Sequence, residues 1–243
     1  MANFSTHLNG AALISGLAST ALLSSYAITP TTALWLWFLG TVGGLLPDID
    51  SDNSTSMKTL FNLLAGGCSF LAIRFIYMQL TMLELLLWAL AIYMFIRFVC
   101  KSAFEKLTVH RGSCHSLVFS ALLSMITVCL IDWASQDRAQ NADVISWLSG
   151  IFVFGGAMVH LLLDEFYSVD FSNTSLKASF GTALKFMDMR YPVTSIAQLV
   201  ATVALFQIAP SPQPAIDVLT DWSHFLFWPE WLNIKFASGL FNS

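Results

Sequence analysis

Histidine and aspartate residues recur at several places along this chain, each close to the end of a hydrophobic segment. Imidazole nitrogens and carboxylate oxygens together form a mixed ligand set that suits Zn²⁺ or Mn²⁺ better than Mg²⁺ or Ca²⁺, which prefer oxygen ligands. If the fold gathers these residues, they predict a site for one or two divalent ions. The candidate ligands are His7, Asp48, Asp50, His110, His115, His160 and Asp164.

The composition indicates an integral membrane protein, because 56% of the 243 residues are apolar and only 11% are charged. A helix that crosses a hydrocarbon core about 30 Å thick needs roughly 20 mostly apolar residues. Seven stretches meet or nearly meet this requirement, so we expect an all-α bundle of about six to seven membrane helices within residues 1–209. These stretches cover approximately residues 11–28, 31–46, 59–78, 82–100, 116–133, 144–163 and 195–209.

The candidate ligands fall on one side of the bilayer if the chain crosses it at each apolar stretch. His7 precedes the first stretch, and the two aspartates follow the second. The His110/His115 pair lies between the fourth and fifth stretches, and the His160/Asp164 pair closes the sixth. Most Lys and Arg residues lie on this same side, and the excess of basic residues in cytoplasmic loops predicts that this side is cytoplasmic.

The spacing of His160 and Asp164 places both side chains on one face of a helix, one turn apart. That arrangement allows both to bind one ion. A buried histidine that is hydrogen-bonded to a carboxylate is the alternative. Polar residues within a membrane segment are energetically costly, which favours a functional role.

The sequence HRGSCHS precedes the fifth apolar stretch. A turn at Gly112 would bring the imidazoles of His110 and His115 together. Arg111 offers a planar fork suited to a phosphate or carboxylate, although an ordinary cytoplasmic anchor is the alternative. Ser116 is expected to cap the helix that follows.

The sequence LLPDID ends the second stretch, and in an extended or turn geometry Asp48 and Asp50 point to the same side. Two adjacent carboxylates repel each other unless a cation neutralises them. Helix capping is the alternative role for either aspartate. By itself, His7 is the weakest candidate.

In order along the chain, these motifs resemble the YdjM-like family of inner-membrane metal-dependent hydrolases. The resemblance rests on His7 before a helix of small residues, the LLPDID turn, the HRGxxHS segment and the GxxxHxxxD helix, and it ends near Tyr167. It implies a bacterial inner-membrane protein whose seven candidate ligands form a metal centre that supports hydrolysis. The chain departs from the family pattern at Ser51, where His is frequent, and at Cys114, where Thr is common.

The expected mechanism is metal-assisted hydrolysis of a phosphoester in a lipid or lipid-linked substrate. Bound metal would activate water, while Arg111 stabilises substrate charge and a carboxylate such as Asp50 acts as base. A transporter or a non-catalytic scaffold with a structural metal site is the alternative. Mid-span polar residues typical of a transporter are limited to Arg74, Glu84 and Arg97. Nucleic acid is not an expected partner, because the net charge is −4 and no basic stripe is present.

Two further segments lie outside these motifs. Residues 168–191 form a polar loop that could cover the site as a basic lid or be an ordinary cytoplasmic loop. Residues 210–243 begin with Pro210, Pro212 and Pro214, which predict an extended break, and continue with many aromatic residues. This density of aromatic residues predicts a C-terminal segment at the membrane interface, with a plug or an oligomer contact as alternatives.

Overall fold

The computed structural model describes residues 3–50, 55–78, 80–102, 114–135, 141–170, 175–176 and 184–225. These residues are almost entirely helical, as the sequence predicts. Antiparallel two-residue strands, β1 (Val169–Asp170) and β2 (Ser175–Leu176), are the only extended pairing among them. The helices are α1 (Phe4–Ser24), α2 (Pro30–Gly43), α3 (Thr55–Ile76), α4 (Met82–Met94, continued by a π-helical segment, Phe95–Cys100), α5 (Leu117–Ser135), α6 (Ala142–Ser168), α7 (Pro192–Ile208) and α8 (Gln213–Thr220).

Fewer helices are able to cross a membrane than the sequence predicts. Within the described residues, three are long and apolar enough, and four if the bent pair α7–α8 counts as one span. The predicted count of six to seven is therefore too high. Helix α2 has only 14 residues, or about 21 Å of helix, while polar residues dilute α1 and α3. The three spans are Met82–Cys100, Leu117–Ser135 and Ala142–Ser168.

Helix α6 lies at the centre of the bundle, where it packs against α1, α2, α5 and α8. Glycines allow its close approach to α2. The Cα of Gly156 faces the backbone of Gly40, and a Cβ at position 156 would lie 2.8 Å from the nitrogen of Gly44. Only hydrogen fits between these two backbones, so the sequence of small residues determines how closely the helices pack.

Helix α1 begins earlier than predicted and includes His7, which we expected to precede the helix. Asn3 is the N-cap, and its side-chain oxygen accepts a hydrogen bond from the backbone nitrogen of Thr6 at 2.8 Å. This cap allows a polar first turn to enter the bundle, where His7 is 1% exposed. Helix α6 likewise continues beyond Leu163 to Ser168, so the His160/Asp164 pair lies inside a helix.

The prolines after α7 do not form the extended break that the sequence predicts. The chain bends by 91° and continues as α8, with Pro212 at the N-cap and Pro214 in the first turn. Proline is tolerated there because the amide that it lacks would have no partner within the helix. Helix α8 packs on the bundle through Val218 and Leu219, which contact the apolar cluster around Leu36. The interfacial role of residues 210–243 stays a prediction, and residues 226–243 lie outside the described part.

Candidate metal centre

His160 lies in the middle of the site, and its orientation is fixed by the backbone of α2. Its Nδ1 lies 2.8 Å from the carbonyl oxygen of Gly44, so that Nδ1 donates the hydrogen bond and Nε2 is left as the unprotonated nitrogen. The side chain is fully buried. The close glycine contact between α2 and α6 thus places a carbonyl where it determines which histidine nitrogen faces the site.

Four ligand atoms in the site follow one another as alternating nitrogens and oxygens. His160 Nε2 lies 3.6 Å from Asp48 Oδ1 and 3.7 Å from Asp164 Oδ2. His115 Nε2 lies 3.4 Å from the same oxygen of Asp48 and 3.9 Å from the same oxygen of Asp164. We call these four side chains the His/Asp ring.

The size of the His/Asp ring fits a metal ion. Ligands bound to tetrahedral zinc at about 2.0–2.1 Å are separated from one another by about 3.3–3.4 Å. The nitrogen–oxygen separations in the ring, 3.4–3.9 Å, are slightly longer. His115, His160 and Asp164 offer three ligand atoms within 4.8 Å of one another, as a single ion requires, and Asp48 Oδ1 lies beside the Nε2 atoms of both histidines.

His7 completes the cluster from the side of α1. Its ring stacks on that of His160, with centroids 3.7 Å apart and an interplanar angle of 13°. Its Nε2 lies 3.3 Å from Asp164 Oδ1, the oxygen that does not face the ring. His7, Asp48 and His160 also offer ligand atoms within 4.8 Å of one another. His7 is thus placed to orient Asp164 or to bind an ion itself.

Asp48 belongs to a 3₁₀ turn, Leu46–Asp50, that follows the end of α2. This is the turn alternative of the two geometries predicted for LLPDID. Burial tends to raise the pKa of Asp48, but its hydrogen bond with His115 and the nearby imidazole of His160 outweigh this, so its pKa is lowered. Asp48 is therefore an anion at neutral pH and offers a negatively charged oxygen.

Buried nitrogens without a hydrogen-bond partner are the observation that most favours a cation here. Nε2 of His160 and Nδ1 of His7 are both inaccessible to solvent and accept or donate no hydrogen bond. A buried polar atom without a partner costs about 1–3 kcal/mol, whereas a metal ion would satisfy such a nitrogen and neutralise the two carboxylates. The residues present therefore fit a divalent ion.

The structure brings together five of the seven predicted ligands from four separate parts of the chain: His7, Asp48, His115, His160 and Asp164. Their role as ligands stays a prediction. His110 and Arg111 lie outside the described residues, as does the side chain of Asp50. Glu165, next to Asp164 in sequence, is partly exposed.

Two structural features were missed in the sequence, one in the site and one outside it. The carbonyl of Gly44 carries no side-chain signal, although the paired glycines at 43–44 and 155–156 indicate a close helix contact. Asp188, 2% exposed, lies in the segment that the sequence predicts as a polar loop. The only signal in the sequence is one acidic residue between two basic residues, Lys185 and Arg190, and such a pattern is also common in exposed loops.

The fold and the cluster define a helical membrane protein with a buried His/Asp site that is able to hold a divalent cation. The family model described as "YdjM inner membrane protein" matches residues 1–184, so the chain belongs to this family. The matched part contains every residue of the cluster. No curated protein and no solved structure matches the chain.

Proposed function

We propose that this protein is a metal-dependent hydrolase that cleaves a phosphoester of a lipid or lipid-linked substrate at the cytoplasmic face of the membrane. The observation that carries the proposal is the His/Asp ring, in which four ligand atoms of alternating type lie 3.4–3.9 Å apart. His115, His160, Asp48 and Asp164 would hold a zinc or manganese ion.

One ion is the stoichiometry that the histidines favour. Nδ1 of His160 is engaged by the carbonyl of Gly44, so His160 has one nitrogen, Nε2, for a metal. The two possible ligand groups, one with His7 and Asp48 and the other with His115 and Asp164, both need that nitrogen. They therefore describe overlapping parts of a single site.

A bound ion of this kind polarises a phosphoryl oxygen and lowers the pKa of a coordinated water. The protein's own residues supply position and proton transfer. Asp48, whose side chain is 22% exposed, and His115, at 15%, are the more exposed members of the His/Asp ring, whereas His160 and Asp164 are buried. Water and substrate would thus enter past Asp48, and the lowered pKa of this carboxyl keeps it ready to accept a hydrogen bond from water.

The position of the site supports a lipid or lipid-linked substrate. His7 lies in the first turn of α1, and His160 and Asp164 lie in the last turns of α6, a candidate membrane span, so the site lies near the end of an apolar helix. A lipid headgroup reaches such a position without leaving the bilayer. The basic residues of the predicted cytoplasmic loops would attract an anionic headgroup.

An activity assay with matched variants tests this proposal. The protein is purified in detergent, loaded with Zn²⁺ or Mn²⁺, and incubated with phospholipids and isoprenoid phosphates while released phosphate or headgroup is measured. We expect turnover in the wild type and its loss in Asp48→Asn. Asp217→Asn, a change in α8, should retain full turnover. Absence of turnover of every substrate by protein with stoichiometric metal would refute the hydrolase.

A structural metal site in a non-catalytic scaffold is the second candidate, and the deep burial of His7 and His160 favours it. It predicts the same metal content without turnover and a large loss of thermal stability when the metal is removed. A transporter has less support among the described residues. Glu84 accepts hydrogen bonds from the backbone nitrogen and hydroxyl of Thr81, as part of the cap of α4, so it is occupied at a helix end.

A further inference from the structure

Asp188 is the centre of an ion network on the segment that precedes α7. Its Oδ2 accepts hydrogen bonds from Lys185 Nζ at 2.6 Å and from Arg190 Nη2 at 2.7 Å. Its Oδ1 accepts from Nε and from the backbone nitrogen of Arg190, at 3.0 and 3.1 Å. Asp188 is almost completely buried, and each of its two carboxylate oxygens accepts two of these four hydrogen bonds. Such a fully paired, buried carboxylate gives the segment one defined conformation.

The backbone of the same segment holds the beginning of α5. The carbonyl oxygen of Lys185 accepts a hydrogen bond from the backbone nitrogen of Leu117 at 3.0 Å, and that of Phe186 accepts from Val118 at 3.2 Å. These two amides belong to the first turn of a helix and have no partner within it. Residues 185–186 therefore act as an external cap for α5.

The segment is itself fixed to α7. The carbonyl oxygen of Asp188 accepts hydrogen bonds from the backbone nitrogen of Tyr191 at 3.0 Å and from the hydroxyl of Ser195 at 3.1 Å. Ser195 is fully buried. The Asp188 network thus links the first turn of α7 to the first turn of α5.

His115 lies two residues before Leu117, immediately before the capped turn. Unlike His7 and His160, it precedes its helix instead of lying within one, and its side chain is partly exposed. Its backbone is held in place by the external cap and by Ser116, whose hydroxyl accepts a hydrogen bond from the backbone nitrogen of Phe119 at 3.2 Å. The Asp188 network is therefore connected, through the two hydrogen bonds that cap α5, to the backbone that carries His115.

We propose that Asp188, together with Lys185 and Arg190, is a positioning residue that holds His115 against Asp48 and Asp164. It acts through the two loop carbonyls that cap α5, and it does not itself bind the ion. The consequence for metal binding rests on the proposed function, whereas the placement of His115 does not. Lys185 and Arg190 lie in the segment for which the sequence leaves open a basic lid or an ordinary cytoplasmic loop, and in the structure both are paired with Asp188.

The test measures the position of His115 in metal-free protein. Diethyl pyrocarbonate modifies accessible histidines, and mass spectrometry gives the rate for each one. In Asp188→Ala we expect faster labelling of His115 and faster hydrogen exchange at Leu117 and Val118, with His7 and His160 unchanged. Asp188→Asn, which keeps the shape and loses the charge, should lie between this variant and the wild type, and Asp188→Glu should restore slow labelling. The exposed acid Asp217, changed to Asn, is the matched control.

Zinc affinity is the second readout. Residues that orient a metal ligand typically contribute about 10–100-fold to metal affinity, so zinc should bind Asp188→Ala at least about tenfold more weakly. Unchanged labelling of His115 in a folded Asp188→Ala or Asp188→Asn protein overturns the proposal. Faster labelling with unchanged zinc affinity would support the placement of His115 by Asp188 and would refute His115 as a ligand of the proposed metal centre. Wild-type protein that binds no zinc would refute the metal centre instead, and the labelling rates would still decide whether Asp188 holds His115.

Discussion

Replacing Gly156 by alanine tests how the helix contact builds the site. The new methyl group would lie 2.8 Å from the nitrogen of Gly44 and 2.9 Å from the carbonyl carbon of Gly40, and closer still to the oxygen of Gly40. Ordinary contacts begin at 3.4 Å, and the oxygen of Gly40 is the closest atom, so the two backbones must separate by more than the contact with Gly44 alone would require. Backbone atoms are unable to rotate away as a side chain would.

The expected cost follows from this overlap. Added volume in a tightly packed interior destabilises by about 1–3 kcal/mol, which for a chain of this size lowers the midpoint of thermal unfolding by about 2–12 °C. The displaced backbone also carries the carbonyl of Gly44 away from His160. We therefore expect a weaker affinity for zinc in addition to the loss of stability.

Gly155 provides a matched control, because a Cβ at this neighbouring position meets nothing within 4 Å. Gly155→Ala should be neutral or stabilising by up to about 1 kcal/mol, since alanine favours a helix over glycine. Tryptophan fluorescence during heating in detergent, with a zinc titration of each variant, measures both effects. Equal unfolding temperatures for the two alanine variants would show that the close contact of α2 and α6 is wrong.

Three further predictions concern individual side chains. His115→Ala should weaken zinc binding at least about tenfold, whereas the control His224→Ala should leave the zinc affinity, measured by competition titration, unchanged. Equal zinc affinities for the two variants would contradict the role of His115 in the His/Asp ring. Ser116→Ala should lower the free energy of unfolding by about 1 kcal/mol, because the backbone nitrogen of Phe119 loses its partner, and an unchanged denaturation midpoint would count against that cap. The hydrogen bonds from Arg190 lower the pKa of Asp188 despite its burial. Asp188→Asn should therefore lower the free energy of unfolding most above pH 4, and the loss should shrink as the pH falls below 4. A loss that is independent of pH would exclude the ion network.

Much of the architecture was predictable from apolar periodicity and length. Each of the seven apolar stretches is a helix in the structure, and the i, i+4 spacing placed His160 and Asp164 together. The number of membrane spans was not predictable in this way. The apolar stretch Pro30–Gly43 has one face buried against other helices, with Leu36 fully buried, while Leu34 and Trp37 are exposed. Composition alone does not distinguish such a short packed helix from a membrane span.

The gathering of the site residues was predictable only in part. Alternation of the segments across a bilayer indicated one common side for His7, Asp48, His115 and His160, and the structure brings these side chains together. The orientation of His160 was not predictable, because it depends on a backbone carbonyl that any residue at position 44 would carry. Contacts made by backbone atoms leave little trace in the pattern of side chains.

The zinc content of purified protein tests the central claim most directly. Elemental analysis is made on the monodisperse wild type after reloading, beside His160→Ala and Asp164→Ala, with His224→Ala as the matched control. The account predicts one equivalent of zinc in the wild type and in the control, and almost none in the two folded ring variants. Wild-type protein that retains no zinc or manganese, or ring variants that retain as much as the wild type, would contradict it.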